Sequence, residues 1–321
     1  MGQLRSDFVQ AMKKDMYDYF FEKYDEHEPR WPQIFEEDTS EGAYEKETTA
    51  LMPGELDEKQ VGEPIKQKKL AEGYIAYEKN RTFAQEIALE KETVEDDRKV
   101  ENRLKKAASG WGRSVRITQE RFFAKVFNYG GLTAGHDVFN ASIPGEFVDP
   151  SGDLCYDGKP FFNLSTSTRS SKGGGTYYNG LALDLTPENF KTAWTLLTVT
   201  NAKDENDDEV EIIPDTLLVP SSLRFTADEI LTSEKVAYLA TNTRNVLRDI
   251  VKVVWWPFLT NQSAWFLGCS KMGITAFKRQ DPEIDFFRDP HTRAYIANID
   301  VRWGVMIHNW RYWVGSNFLT T

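Results

Sequence analysis

The residues most suggestive of chemistry are Asp204, Asn206 and Asp208, set at alternate positions as in the opening of a calcium loop. Such a loop needs a glycine at its sixth position to turn the chain and a bidentate glutamate at its twelfth. This chain has Glu209 and Asp215 there, so the stretch reads as a polar turn. Gly158-Lys159 is followed by Pro160 where a phosphate-binding loop requires Ser or Thr, and Ser170-Ser-Lys-Gly-Gly-Gly-Thr176 has no phosphate-cradling spacing. His27, His136, His291 and His308 stand singly, at no ligand-like spacing from one another or from a cysteine. The sequence has no Gly-x-Ser-x-Gly elbow. Cys155 and Cys269 read as free thiols of a reducing compartment. No catalytic residue, cofactor or metal ligand is therefore assigned, and an enzyme reading rests on nothing positive in the sequence.

The amino-terminal third is charged differently from the rest. Residues 1–100 hold 25 Asp and Glu against 15 Lys and Arg, a net of −10 out of −11 for the whole chain. Their alternating signs suit a solvated face or an intersubunit ion-pair surface, and the lack of a clustered basic face argues against tight nucleic-acid binding. Over residues 4–24, Phe8, Met12, Met16, Tyr19 and Phe20 share one face, which predicts an amphipathic helix that needs something to lie on. That segment lacks the apolar core of a signal peptide, and no apolar run reaches bilayer length, so synthesis in a cytoplasm and no membrane partner are expected. Residues 26–64, interrupted by Pro29, Pro32, Pro53, Gly54, Gly62 and Pro64, read as an extended arm. With no groove of its own evident, removal of residues 1–40 is expected to leave a folded body that assembles wrongly.

Residues 73–77 and 82–89 read as two strands of a charged hairpin turning at Glu78-Lys-Asn-Arg81. A lone ribbon with few apolar residues is marginal in water and needs another molecule for support. Glu72, Glu78, Lys79, Arg81, Glu86, Glu90 and Lys91 of the hairpin, with Phe8, Met12 and Met16 of the helix, are the candidate intersubunit contacts.

The remainder is an α+β body, and 321 residues with 40% hydrophobic side chains supply one large domain or two ordinary ones. Glu95-Asp-Asp97 opens a long helix in which Leu104, Ala108, Trp111, Val115, Phe122 and Val126 recur at helical steps, with a bend predicted at Gly110 and Gly112. Residues 170–176 read as an exposed loop tip that accepts an insertion. Pro187 starts a helix burying Phe190, Trp194 and Leu197. Leu217-Leu-Val219, closed by Pro220, predicts a strand, followed by a helix capped by Ser221 or Ser222. Residues 249–256 and 264–267 read as paired strands, and 297–309 as a strand facing Ile299, Val301, Trp303, Val305 and Ile307 inward.

This order of arm, charged hairpin and long helix resembles that of tailed-phage major capsid proteins with the Hong Kong 97-type fold. Asp157-Gly-Lys-Pro-Phe-Phe162, Leu185-Thr-Pro-Glu-Asn-Phe190 and Asp215-Thr-Leu-Leu-Val-Pro-Ser-Ser-Leu223 are similar to segments of Mu-like head subunits. The resemblance implies a helix and arm (1–64), an extended loop (65–94), a peripheral domain with a spine helix (95–213), an axial domain (214–290) and a terminal strand returning to the peripheral domain (291–321). It implies hexamers and pentamers closing into an icosahedral virion shell, assembled in the host cytoplasm, with the hairpin lying across a neighbour and the arm beneath another. A separate scaffolding protein, a portal protein and non-specifically contacted double-stranded DNA are the implied partners. An encapsulin-like compartment shell, or an α+β enzyme or carbohydrate-binding domain, stays open as the alternative.

Overall fold

The computed structural model describes residues 2–42, 44–50, 58–59, 72–90, 100–132, 155, 157, 159–233 and 244–319. In chain order the elements are α1 (Gly2–Asp25), β1 (Glu36–Thr39), β2 (Tyr44–Ala50), β3 (Glu72–Lys79), β4 (Arg81–Leu89), α2 (Val100–Asn128), a small hairpin β5 (Arg169–Ser170) and β6 (Thr176–Tyr177), β7 (Gly180–Leu181) and α3 (Pro187–Thr195). Then follow β8 (Thr216–Val219), α4 (Arg224–Thr232), β9 (Lys252–Trp255), β10 (Trp265–Gly268), β11 (Ile274–Arg288), β12 (Tyr295–Ile307) and β13 (Trp313–Ser316).

Period-two burial makes β12 the middle of a four-stranded sheet ordered β1-β11-β12-β4. Ala297, Ile299, Val301, Trp303, Val305 and Ile307 are buried as the alternation requires, while Arg302 faces solvent. On this sheet lies α2, whose Phe122 meets Phe83 and Trp303 ring to ring. Helix α1 lies on α2 in turn, with Met12, Met16 and Phe20 buried in the same core. Lys13 bonds Asp285 of β11 at 2.7 Å, and Asp15 pairs with Lys105 of α2 at 2.9 Å. At Gly112 a Cβ would stand 2.5 Å from the Phe20 carbonyl oxygen, so a glycine is what lets the two helices approach there. The helix α2 runs continuously through both Gly110 and Gly112.

A second sheet is ordered β7-β13-β10-β8-β9. Leu217 and Val219 point with Trp265 and Leu267 into a core closed by Phe190 and Leu197 of the α3 region and by Ala227, Ile230 and Leu231 of α4. Leu218, Val254, Phe266 and Trp313 point the other way and join the core of the first sheet, so one aromatic interior links both layers. The strand-then-helix reading of 217–231 holds, as does the start of α3, where Thr186 accepts the Asn189 N–H at 3.2 Å.

Four expectations change. Strands β3 and β4 do not pair with each other: β3 pairs with β2, and β4 pairs with β12 more than two hundred residues away. Strands β9 and β10 are not partners either, because β8 lies between them. Neither Ser221 nor Ser222 caps a helix, and the Ser222 hydroxyl instead donates to the Gln262 carbonyl at 2.6 Å. The segment after α1 is not wholly an arm, because Trp31, Ile34 and Phe35 are buried and β1 adds parallel to β11. The opening of the long helix at Glu95-Asp-Asp97 lies outside the described residues.

Candidate assembly surface

Strands β2 and β3 pair only with one another among the described residues, forming a two-stranded ribbon apart from both larger sheets. Its base is fixed by a polar clasp. The Asn80 amide donates to the Gly42 carbonyl at 2.9 Å and to the Ser40 hydroxyl, and that hydroxyl donates to Glu45. Arg279 donates to the Ser40 carbonyl at 3.0 Å, and the Ser40 N–H donates to Lys278, which roots the clasp in β11. Sequence reasoning missed Ser40, Asn80 and Arg279. Each is an ordinary polar residue until distant segments meet.

The predicted contact residues that the structure describes do not form one exposed patch. Met12 and Met16 are 2% and 0% exposed, so they are core residues of their own subunit and not a contact with another. Arg81 is no hairpin-turn residue: it begins β4 opposite Trp303 and is half-buried, so its substitution reports on the subunit's own fold. Glu86 and Glu90 are exposed, Glu86 opposite Asn298 and Glu90 just past the end of β4. The side chains of Phe8, Glu72, Glu78 and Lys79, and the whole of Lys91, lie outside the described residues.

Glu120 holds the segment after α1 against α2. This buried carboxylate accepts the Arg30 N–H at 2.6 Å, the Trp31 N–H and the indole N–H of Trp256. Burial raises its pKa, and the three donors only partly offset that effect. The Arg30 guanidinium then stacks 3.4 Å from the Trp255 ring centre.

On the second sheet's side, the turn Asp204–Glu209 is occupied with its own neighbours. The Asp204 carboxylate accepts the N–H groups of Asn206 and Asp208 at 2.7 and 2.9 Å. Asp207, at φ 69°, accepts from Ser171, the Gly175 N–H and the Tyr177 hydroxyl at 2.6 to 2.8 Å. Burial, then the bond to Asp207, push the Tyr177 hydroxyl up to about 12. Burial works to raise the Asp207 carboxyl, but the bonds from Ser171, Tyr177 and Gly175 outweigh it and leave its pKa lowered. The buried Arg311 joins this network through Glu205 at 2.6 Å. The tip of residues 170–176 is thus exposed at Lys172 to Gly174 yet pinned from beneath. A Cβ at Gly173 or Gly175 would strike Asp207, so tolerance of an insertion is not expected there. Phe225 is 74% and Val246 71% exposed, two apolar side chains left open on the surface.

Residues 79–315, about three quarters of the chain, match the sequence model of the family described as phage capsid protein. No curated protein matches the chain in sequence. Among solved structures it is similar to the bacteriophage JBD30 capsid, at 14% identity and a TM-score of 0.51 over 73% of this chain and 92% of that one. It is also similar to the virus-like particle from Pyrococcus furiosus, at 8% identity and a TM-score of 0.50 over 95% and 98% of the two chains. At such identities the likeness is one of fold, and it agrees with the Hong Kong 97-type α+β architecture. No helix among the described residues is long and apolar enough to cross a membrane. The family match runs from β4 to β13 and so takes in both sheets and α2 rather than one patch, and the chain belongs to the phage capsid protein family, a structural protein that self-associates into the shell of a virion.

Proposed function

We propose how this major capsid protein builds its icosahedral shell: the β2–β3 ribbon leaves the body at the Ser40–Asn80 clasp and lies across a neighbouring copy. The observation that carries this reading is the ribbon itself, which is paired to nothing but itself among the described residues and is marginal as an isolated pair of strands. Exposed Glu86, and Glu90 just past β4, lie toward the end of that strand away from the clasp and would supply ion pairs to a second contact. One heterologous contact repeated around an axis closes rings, here hexamers and pentamers. Sheet membership suggests the division of labour. The four-stranded sheet with α1 and α2 would be the peripheral part, now including β11, and the five-stranded sheet with α3 and α4 the axial part, now including β7 and β13. Phe225 and Val246 would then be covered by the next subunit of the ring. A separate scaffolding protein, a portal protein and non-specifically held DNA are the partners such a shell would use. Kinship with Mu-like head subunits is supported by the three segments at 157–162, 185–190 and 215–223.

Size decides the matter. Purified full-length protein is expected to elute as rings or closed particles and to show them by negative-stain microscopy. A 36.9 kDa monomer at every concentration would overturn the proposal.

A further inference from the structure

Between the end of α1, the middle of α2 and the part of β11 where the register slips lies a cavity of about 230 Å³. Arg116, Lys278 and Arg302 bring cations to its wall, and Trp31 and Trp303 bring two indoles. Both indoles are almost wholly buried, at 1% and 2% exposure, and neither N–H has an acceptor in the structure. An indole nitrogen can only donate, so the two buried and unpartnered groups of this lining both ask for an acceptor. Some of the positive charge is spoken for. Lys278 pairs with Glu37, Arg116 donates to the Tyr24 carbonyl at 3.0 Å, and Asp281 is a lining acid. Arg302 stands exposed at the wall, and the cations still outnumber the acids. Water could satisfy the two N–H groups, but a single anion would meet them and the positive wall together.

We infer that this cavity is an oxyanion site that takes a single carboxylate or phosphate group. Two sources offer that chemistry: a free ion, or an acidic side chain presented by a second copy, whose first hundred residues carry a net charge of −10. The test uses the full-length chain, as unassembled subunits and as assembled particles. Tryptophan fluorescence and the melting temperature are followed while sodium phosphate or sodium acetate replaces chloride at constant ionic strength.

Subunits are expected to respond saturably. Arg302→Ala, an exposed change, is expected to weaken the apparent affinity about tenfold, and Trp31→Phe, which removes the N–H and leaves a smaller aromatic ring, is expected to weaken it as well. Particles that no longer take up phosphate would show that a neighbour's carboxylate fills the cavity, and equal uptake would show that the ligand is a free ion. An unsaturable response in subunits, or a saturable one unchanged by Arg302→Ala, overturns the site and leaves the cavity to water.

Discussion

Gly110 and Gly112 sit two residues apart in α2, and alanine is expected to act on them in opposite directions. At Gly110 nothing lies within 4 Å of a new Cβ, so Gly110→Ala should raise stability by up to about 1 kcal/mol through helix propensity. At Gly112 the Cβ would meet the Phe20 oxygen at 2.5 Å and the Tyr24 nitrogen at 2.9 Å, backbone atoms that cannot swing aside. Overpacking of that kind costs about 1–3 kcal/mol, more than propensity returns. Gly112→Ala should therefore melt below wild type, and a higher melting point would mean that α1 does not seat there. Glu120 yields a prediction with a sign. Its carboxyl pKa is raised above the usual 4.5, so between the two values the folded protein keeps a proton that the unfolded chain has released. The stability contributed by this group falls as pH rises through that window and is constant above it. Glu120→Gln removes the titration, and the gap in unfolding free energy between wild type and variant should narrow as pH rises from about 4.5, in denaturant melts. A widening gap would show that the carboxylate is the form the fold prefers. At this scale the sequence tells which residues are buried but not by what: Met12 and Met16 are plainly on an apolar face, yet nothing local says that α2 of the same chain covers it.

Among the elements, α1 carries the clearest expectation. Deleting residues 1–25 withdraws Met12, Met16 and Phe20 from the core that they share with α2 and β11. Large-to-small changes at single buried sites cost about 2–5 kcal/mol each, against a total stability of about 5–15 kcal/mol. The truncated chain should be insoluble or lack a cooperative melt, the reverse of what the amphipathic pattern alone suggests. A soluble, cooperatively melting product would show that α1 is dispensable to the subunit. The clasp behaves differently, because it holds the ribbon rather than the body. Ser40→Ala with Asn80→Ala should leave circular dichroism and melting close to wild type while lowering the yield of closed particles in sedimentation. Normal particle yield would release the clasp from any role. How legible an element was depended on whether its partner was local. β12 announced itself because Ile299, Val301, Trp303 and Val305 alternate cleanly. β11, fifteen residues long, did not, because charged residues and Pro282 break its alternation where the register slips between Lys278 and Glu283. β3 and β4 were readable as strands, but the assumption that neighbours in sequence pair with each other failed for them, as it did for β9 and β10.

For the molecule as a whole, the sequence pointed to a shell through the order of its elements and through its want of reactive groups. The parts that would do the work, namely the clasp, the Glu120 knot and the basic cavity, were invisible, since each is assembled from segments far apart in the chain. One feature of that wiring concerns how the protein comes into being. Residues 265–316 supply both inner strands of the four-stranded sheet, β11 and β12, and two of the three inner strands of the other, β10 and β13. Without that stretch neither sheet is joined across its middle, and the side of the packed α1–α2 pair that faces the sheet has nothing to settle on. Contacts of such long range are slow to form and leave sticky intermediates exposed. A chain cut short before residue 265 therefore lacks the strands that join each sheet and the β11 residues that root the clasp of the ribbon. Quality control is written into the wiring: a chain lacking residues 265–316 cannot present a properly rooted clasp to a growing shell.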